Sequence, residues 1–152
     1  MSKIENIDYF KKNSDKISTS GQPTENQIKL IADEGFEIVI NARPQAEMDE
    51  VFDERKIVEN LGMKYFLIET ELSEPNIEEL SRFIELMEKF SDQKIFFHCR
   101  ANKRASGLLA IYRVVKLGWK EEDAIEKVKE VWELTPVLQN FIEMQIDYLL
   151  ES

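Results

Sequence analysis

Cysteine and histidine are almost absent from this sequence of 152 residues, which contains one of each. With a single cysteine no intrachain disulfide can form, so the chain suits a reducing cytoplasm. No apolar run approaches the roughly 18 residues that a membrane-spanning helix needs. The first residues also lack the apolar centre of a signal peptide. We therefore expect a cytoplasmic protein that does not enter the membrane.

Basic residues are outnumbered, with 20 lysines and arginines against 30 acidic residues and a formal net charge of −10. Such a charge argues against a broad surface for nucleic acid or anionic lipid. A content of 43% hydrophobic and 33% charged residues is typical of a globular protein. We expect one domain over residues 1–152, with the polar, lysine-rich residues 1–15 as a loosely held arm.

The one cysteine lies in the most informative stretch, residues 94–107. Ile95 to His98 form a short apolar pattern that predicts a buried strand. Cys99 follows directly, and an almost wholly apolar helix is predicted from Leu108 to Val115. Three cations lie within five residues of the cysteine: Arg100, Lys103 and Arg104. In an acidic protein, this local positive charge indicates a small anion or a phosphorylated side chain as ligand.

A strand, a tight loop and a helix place Cys99 at a helix N-terminus, where unpaired N–H groups favour anions. Such a position lowers the pKa of a thiol and creates a thiolate nucleophile. The alternative is an inert thiol that packs as a small hydrophobe. Its place at the end of a strand, before cations, favours the functional interpretation. We predict that Cys99 attacks a phosphoryl substrate held by Arg104.

Along the chain, strand and helix patterns alternate. Strands are predicted at 17–20 (an edge strand), 36–40, 64–68 and 95–98. Helices are predicted from Thr24 to Ala32, from Gln45 to about Leu61, and at 76–87, 120–134 and 136–149. Thr24 with Gln27, and Asn76 with Glu79, match capping boxes. The alternation predicts an α/β fold with a mainly parallel sheet of four to five strands, flanked by helices.

In a parallel sheet, the carboxyl ends of the strands face the ligand. Here those ends are residues 20–22, 41–43, 69–74 and Cys99. We therefore expect the chemically active residues to meet at one edge of the sheet.

His98, Cys99 and Arg104, followed by Ala-Ser and a buried helix, resemble the phosphate-binding loop of cysteine-dependent tyrosine and dual-specificity phosphatases. Residues 18–24, 39–44 and 112–142 are similar to bacterial phosphatase-like domains of the DUF442 and beta-lactamase-hydrolase-like kind. The resemblance covers about residues 17–147. It implies a cysteine-phosphatase-like fold, without a metal or cofactor.

The resemblance also implies a two-step phosphoryl transfer. Cys99 would form a phosphocysteine intermediate, and Arg104 would bind two oxygens of the phosphate bidentately. Main-chain N–H groups would supply further donors. The substrate would be a phosphorylated protein, on tyrosine or with dual specificity, or a small phosphorylated molecule. The candidate residues for binding this substrate are His98, Arg100, Ala101, Asn102, Lys103, Ser106 and Arg43.

Several of these roles have a structural alternative. His98 would orient the loop and help to stabilise the thiolate of Cys99. The alternative is a structural histidine whose hydrogen bonds are satisfied inside its strand. Ser106 could donate a hydrogen bond to Cys99 or cap the helix. Arg43 could reach the substrate or form an ion pair with the acidic helix after it. Three aromatic residues are expected to pack in the core: Trp119, Trp132 and Phe141.

The loop departs from the phosphatase pattern, since four residues separate Cys99 from Arg104 instead of five. It also lacks the usual glycine, and Asn102 stands where a left-handed conformation is needed. The hydroxyl residue that normally follows the arginine directly is displaced to Ser106.

The general acid is expected in the acidic loop of residues 69–75, which contains no aspartate. Glutamate can protonate a leaving group if its carboxyl group comes within hydrogen-bond distance of the leaving oxygen. Glu71 is the first candidate and Glu74 the second, each with a solvated loop charge as the alternative. Asp49 and Asp53 are remoter candidates.

Two other functions fit the loop. A cysteine and an arginine separated by four residues are also typical of the loop of many rhodaneses, which favours sulfur transfer through a Cys99 persulfide. A phosphate-binding module without catalysis is the other possibility, if no acid reaches the site.

Overall fold

The computed structural model describes residues 3–48 and 52–151, and a five-stranded sheet forms its centre. Its strands are β1 (Lys11–Lys12), β2 (Ile17–Ser20), β3 (Ile38–Asn41), β4 (Lys64–Leu67) and β5 (Ile95–His98), in the order β1-β2-β5-β3-β4. β1 pairs antiparallel with β2, and every other pair is parallel. The predicted α/β class with a mainly parallel sheet is confirmed.

A short 3-10 helix (Ile4–Asn6) precedes the sheet, and α-helices follow its strands. They are α1 (Glu25–Asp33), α2 (Gln45–Met48), α3 (Glu54–Asn60), α4 (Ile77–Lys89), α5 (Lys103–Val115), α6 (Glu121–Lys129) and α7 (Pro136–Leu150). None of the helices in the described ranges has the length and hydropathy that a membrane span requires.

Apolar side chains cover both faces of the sheet because alternate residues of a strand point to opposite sides. Phe97 belongs to the larger core cluster, together with residues of α4, α5, α6 and α7. Phe96 belongs to a second cluster, with residues of α1, α3 and the amino-terminal segment. α5 lies at the centre of the larger cluster, and its residues 105–113 are all buried. This burial fixes the helix that follows Cys99.

Capping contacts define where the helices begin. The Thr24–Gln27 capping box is confirmed, and Thr135 caps α7 ahead of Pro136. The second predicted capping box is only half formed. Asn76 accepts from the N–H groups of Glu78 and Glu79, but the Glu79 carboxylate accepts from the N–H of Glu69 at 2.9 Å. This contact ties the acidic loop to α4.

The single helix predicted from Gln45 to about Leu61 is wrong, since the chain forms α2 and α3 there. Asp53 has a φ of −75° and a ψ of 80°, outside the helical region, and its side chain accepts from the N–H of Lys56. An aspartate that caps a helix in this way starts a new helix instead of continuing an old one.

Two expectations for the amino-terminal part are also corrected. β2 is not an edge strand, because β1 pairs with it on the outer side. Residues 3–12 do not form a loosely held arm, since Ile4 and Ile7 are buried in the second core cluster. Burial of these two apolar side chains offsets the entropy lost on ordering a polar segment.

We expect Phe83→Ala to destabilise the protein by about 3–5 kcal/mol, because a large buried ring is lost and a cavity remains. Phe83 is fully buried, and its ring centroid lies 4.8 Å from that of Phe97. Urea unfolding measures the effect. Val137→Ala is the control, since Val137 is 66% exposed. Equal midpoints for the two variants would contradict this assignment of the core.

Candidate active site

The carboxyl ends of three neighbouring strands lie level with one another. Ser20 and Asn41 are both paired in register with His98, the last residue of β5. Cys99 follows at this edge, and its N–H donates to the carbonyl of Ser20 at 3.3 Å. The structure therefore brings together the strand ends that the sequence predicted to meet.

Cys99 lies at the base of a cavity of about 350 Å³. Its exposed fraction is 1%, and it packs against the larger core cluster. The lining residues are Glu71, Leu72, Ser73, Cys99, Arg100, Ala101, Lys103, Arg104, Trp132 and Leu138. Cys99 therefore contacts both the apolar core and the cavity.

The turn from β5 into α5 depends on Asn102. This residue has a φ of 63° and a ψ of 9°, the left-handed conformation expected from its position. Its side-chain amide donates to the carbonyl of Tyr9 at 2.8 Å and to Oγ1 of Thr19 at 3.0 Å. The amino-terminal segment and β2 therefore hold the turn that connects Cys99 to its helix.

Gly21 brings a second segment against the loop. Its N–H donates to the carbonyl of Asp8, and the N–H of Gln22 donates to the carbonyl of Arg100 at 3.1 Å. A Cβ atom at position 21 would lie 2.6 Å from the carbonyl oxygen of Arg100. Only glycine allows this approach without a shift of the backbone.

α5 begins at Lys103, so its first turn presents unpaired N–H groups beside the cavity. The positive end of the helix dipole and the nearby cations favour an anion there. Lys103 also lies over the ring of Trp132, with its Nζ atom 5.5 Å from the ring centroid. The cavity can therefore bind a phosphate-like group next to Cys99.

Arg104 lies between two carboxylates. Its Nη1 atom is 3.0 Å from Oε1 of Glu71, and its Nη2 atom is 3.6 Å from Oε1 of Glu47. The arginine side chain is 14% exposed. The predicted pair Arg104 and Glu71 is thus brought together, and Glu47 of α2 is a third member that the sequence did not suggest.

Ser106 has a structural role. Its hydroxyl lies 2.6 Å from the carbonyl oxygen of Asn102, to which it donates, and it accepts from Nε1 of Trp132 at 2.9 Å. Among the described contacts it makes no hydrogen bond to Cys99. It does not cap α5 either, because its hydroxyl donates to a carbonyl one turn earlier instead of accepting from an N–H group at the helix start. The bond from Trp132 fixes the indole at the wall of the cavity, while the ring packs on the core.

Arg43 is held away from the cavity. Its Nε atom is 3.2 Å from Oε1 of Glu47, and its Nη1 atom donates to Oε1 of Gln22 at 3.1 Å. It is not among the lining residues found in the described part of the chain. The ion pair with the acidic helix is therefore the alternative that the structure favours, although Arg43 is buried.

His98 forms a buried pair with Glu54 of α3. Its Nε2 atom lies 2.7 Å from Oε2 of Glu54, with the two side chains 0% and 1% exposed. Burial alone would raise the pKa of the Glu54 carboxyl. The charge of His98 and hydrogen bonds from His98, Gln22 and Tyr65 outweigh that effect and hold the pKa below its ordinary value.

A family model described as the DSP-PTPase phosphatase fused to NAD+ kinase matches residues 3–139, almost the whole chain. The chain belongs to this phosphatase family. Among curated proteins no significant match is found.

Solved structures with the same fold include other phosphatases. A DUF442 protein of Shewanella putrefaciens CN-32 is 23% identical, with 96% of each chain covered and a TM-score of 0.79. PTPMT1 in complex with PI(5)P is 18% identical, with 95% of this chain and 98% of that chain covered and a TM-score of 0.78. The core catalytic domain of the PP-IP phosphatase SIW14 from S. cerevisiae is 16% identical, with 95% and 92% covered and a TM-score of 0.74. These likenesses confirm the cysteine-phosphatase-like fold.

The remaining candidate acids of this phosphatase lie elsewhere. Glu74 is exposed and does not line the cavity among the described residues. Asp53 caps α3, and Asp49 lies outside the described residues. Glu71 is thus the candidate acid that the fold brings to the cavity.

Sequence reasoning did not find Glu54, Glu47 or Tyr65 as parts of the phosphatase site. Glu54 and Glu47 belong to charged helical segments whose carboxylates look like solvated surface charges. Glu54 is separated from His98 by 44 positions. A histidine at the end of a buried strand does signal that some acceptor must reach it.

We expect Gly21→Ala to destabilise this phosphatase by about 1–3 kcal/mol, the usual cost of overpacking. The new methyl group would meet a backbone oxygen, which cannot move without disturbing the loop. Gly107→Ala is the matched control. Its Cβ would meet the flexible end of Leu72 at 2.8 Å, and alanine favours the helix by up to about 1 kcal/mol. Urea unfolding of both variants measures the difference, and an equal loss would contradict the close approach at Gly21.

Proposed function

We propose that this phosphatase hydrolyses phosphomonoesters through a phosphocysteine intermediate on Cys99. The observation that supports this most strongly is the position of Cys99 and Arg104. Both line one cavity at the N-terminus of α5, in a chain of a phosphatase family. We propose that the whole chain acts as one domain. The single cysteine, used as a reduced thiolate, suits the cytoplasm.

In the first step, the Sγ atom of Cys99 attacks phosphorus in line with the ester oxygen. An S–P bond forms as the P–O bond to the leaving group breaks. The guanidinium of Arg104 binds two equatorial oxygens, and the first N–H groups of α5 bind developing negative charge. Glu71 supplies the proton that the leaving oxygen takes.

In the second step, water attacks the phosphorus of phosphocysteine. The O–P bond forms, the S–P bond breaks, and the electron pair returns to Sγ as the thiolate. Glu71, now a carboxylate, accepts the proton of the attacking water. The products are inorganic phosphate and the enzyme in its initial state, and no metal or cofactor takes part.

The contact between Arg104 and Glu71 implies that substrate binding comes before proton transfer from Glu71. A carboxylate in contact with a guanidinium is in its ionised form, whereas a general acid must carry a proton. The phosphate of the substrate displaces Glu71 from Arg104, since both need the same N–H groups. Once displaced, Glu71 takes up a proton from solvent, which it then passes to the leaving oxygen. Substrate binding therefore prepares the acid.

The walls of the cavity suit a phosphate carried by an apolar or aromatic group. Leu72, Trp132 and Leu138 provide apolar surface next to the cations Arg100 and Lys103. We propose a phosphorylated protein as substrate, on tyrosine or with dual specificity, or a small phosphorylated molecule. PTPMT1 binds PI(5)P and SIW14 is a PP-IP phosphatase, so phosphorylated small molecules belong in the same test.

Hydrolysis of p-nitrophenyl phosphate tests the proposal. We expect turnover by the wild type and none above background by Cys99→Ser, because a serine hydroxyl at this site is a far weaker nucleophile. Circular dichroism of the variant controls for folding. Equal rates for the two proteins, or thiocyanate formation from thiosulfate and cyanide without phosphate release, would contradict a cysteine phosphatase.

Glu71→Gln tests the general acid through the leaving group. We expect kcat/KM, which reports only the steps up to formation of phosphocysteine, to fall by about 10²–10⁴-fold for phenyl phosphate, which has a poor leaving group. For p-nitrophenyl phosphate the fall should be much smaller, since its leaving group needs little protonation.

Glu69→Gln is the matched control, because Glu69 is an exposed glutamate of the same loop that does not line the cavity in the described residues. An equal fall for both substrates in Glu71→Gln would remove Glu71 from proton transfer.

A further inference from the structure

A buried pair of titratable side chains lies next to the nucleophile and takes no part in the steps above. Glu54 and His98 are in contact at 2.7 Å, and neither side chain reaches solvent. Burying two such groups is costly, so a buried pair is weak evidence of a gain in stability. Its place next to Cys99 suggests a role in the chemistry of the thiol.

Both ring nitrogens of His98 face oxygen atoms that accept hydrogen bonds. Nε2 faces the carboxylate of Glu54, and Nδ1 lies 3.3 Å from the carbonyl oxygen of Cys99. A carbonyl oxygen and an ionised carboxylate have no proton to donate. With Glu54 ionised, both contacts need a ring N–H as the donor.

The surroundings of Glu54 favour its ionised form. Besides His98, Nε2 of Gln22 donates to Oε1 of Glu54 at 2.6 Å. The hydroxyl of Tyr65 also hydrogen-bonds to this carboxyl and accepts from Nδ2 of Asn41 at 2.9 Å. Three donors thus converge on one buried carboxylate, and they hold the pKa of Glu54 low despite its burial.

We propose that Glu54 is a positioning residue for the nucleophile. It holds His98 as an imidazolium, and the positive charge next to Cys99 favours the thiolate over the thiol. The catalytic meaning of this arrangement rests on the proposed function, but its effect on the thiol exists without any substrate.

Other charged groups act on the pair less directly. Arg43 is linked to Glu54 through Gln22, which accepts from Arg43 and donates to Glu54. Arg55 of α3 lies over the ring of Tyr65, 5.0 Å from its centroid. Tyr65 itself stays neutral, because burial and the nearby charge of Glu54 raise its pKa. The contact between carboxylate and imidazolium is therefore the direct determinant of charge behind Cys99.

The rate of alkylation of the thiol by iodoacetamide, measured against pH, tests the inference. Since Cys99 is the only cysteine, the whole signal comes from this site. In Glu54→Gln we expect the pH of half-maximal rate to rise by about one unit, with the same limiting rate at high pH. The matched control is Glu59→Gln, an exposed glutamate of the same helix, whose profile should overlay that of the wild type.

A double-mutant cycle shows whether Glu54 acts through His98. In the background His98→Asn, the substitution at position 54 should leave the profile unchanged. An equal shift in that background, or no shift in the single variant, would overturn the inference. A loss of stability alone would not move the pH of half-maximal rate.

If Glu54→Gln does not fold, as judged by circular dichroism, the pH profile of alkylation is measured for Tyr65→Phe instead. It removes one donor from Glu54, so a smaller shift in the same direction is expected, and an unchanged profile overturns the inference. Hydrolysis of p-nitrophenyl phosphate by the wild type separates the two proposals. If the pH of half-maximal alkylation rises in Glu54→Gln but the wild type does not hydrolyse p-nitrophenyl phosphate, the proposed function is wrong and the inferred role of Glu54 is still supported.

Discussion

A buried thiol can act as an anion only where neighbouring groups compensate its charge. Cys99 is 1% exposed, so water contributes little, and an isolated charge there would be costly. In the mechanism that we propose, compensation comes from the first N–H groups of α5, from Arg104, which lines the same cavity, and, by our inference, from His98. The protein as a whole carries a net charge of −10, so this local arrangement, and not the overall charge, makes the site suitable for anions.

The same constraint explains the contacts of Arg104. A guanidinium that is only 14% exposed needs anionic partners, and Glu71 and Glu47 supply them. These contacts orient the guanidinium of Arg104 for an anion that binds through two oxygens. A phosphate must therefore compete with two carboxylates to bind. This competition links binding of the substrate to release of the proposed acid. It also means that the acidic loop, which α4 holds through Glu79, is part of the site.

The sequence predicted the elements whose signals are local. The strand β5, the helix α5 and the convergence of strand ends followed from periodicity and from the topology of parallel sheets. Long-range contacts gave no such signal. Glu54 meets His98 across 44 positions, and Trp132 meets Ser106 across 26. The start of α3 at Asp53 was missed because one capping side chain outweighed a continuous helical pattern. The two-residue strand β1 was too short to be recognised.

The phosphocysteine intermediate tests the central claim most directly. Wild-type protein turning over p-nitrophenyl phosphate is quenched in acid, and its mass and its peptides are measured. The account predicts one added phosphoryl group, located on Cys99. Hydrolysis at full rate without any phosphoryl group on Cys99 would contradict it.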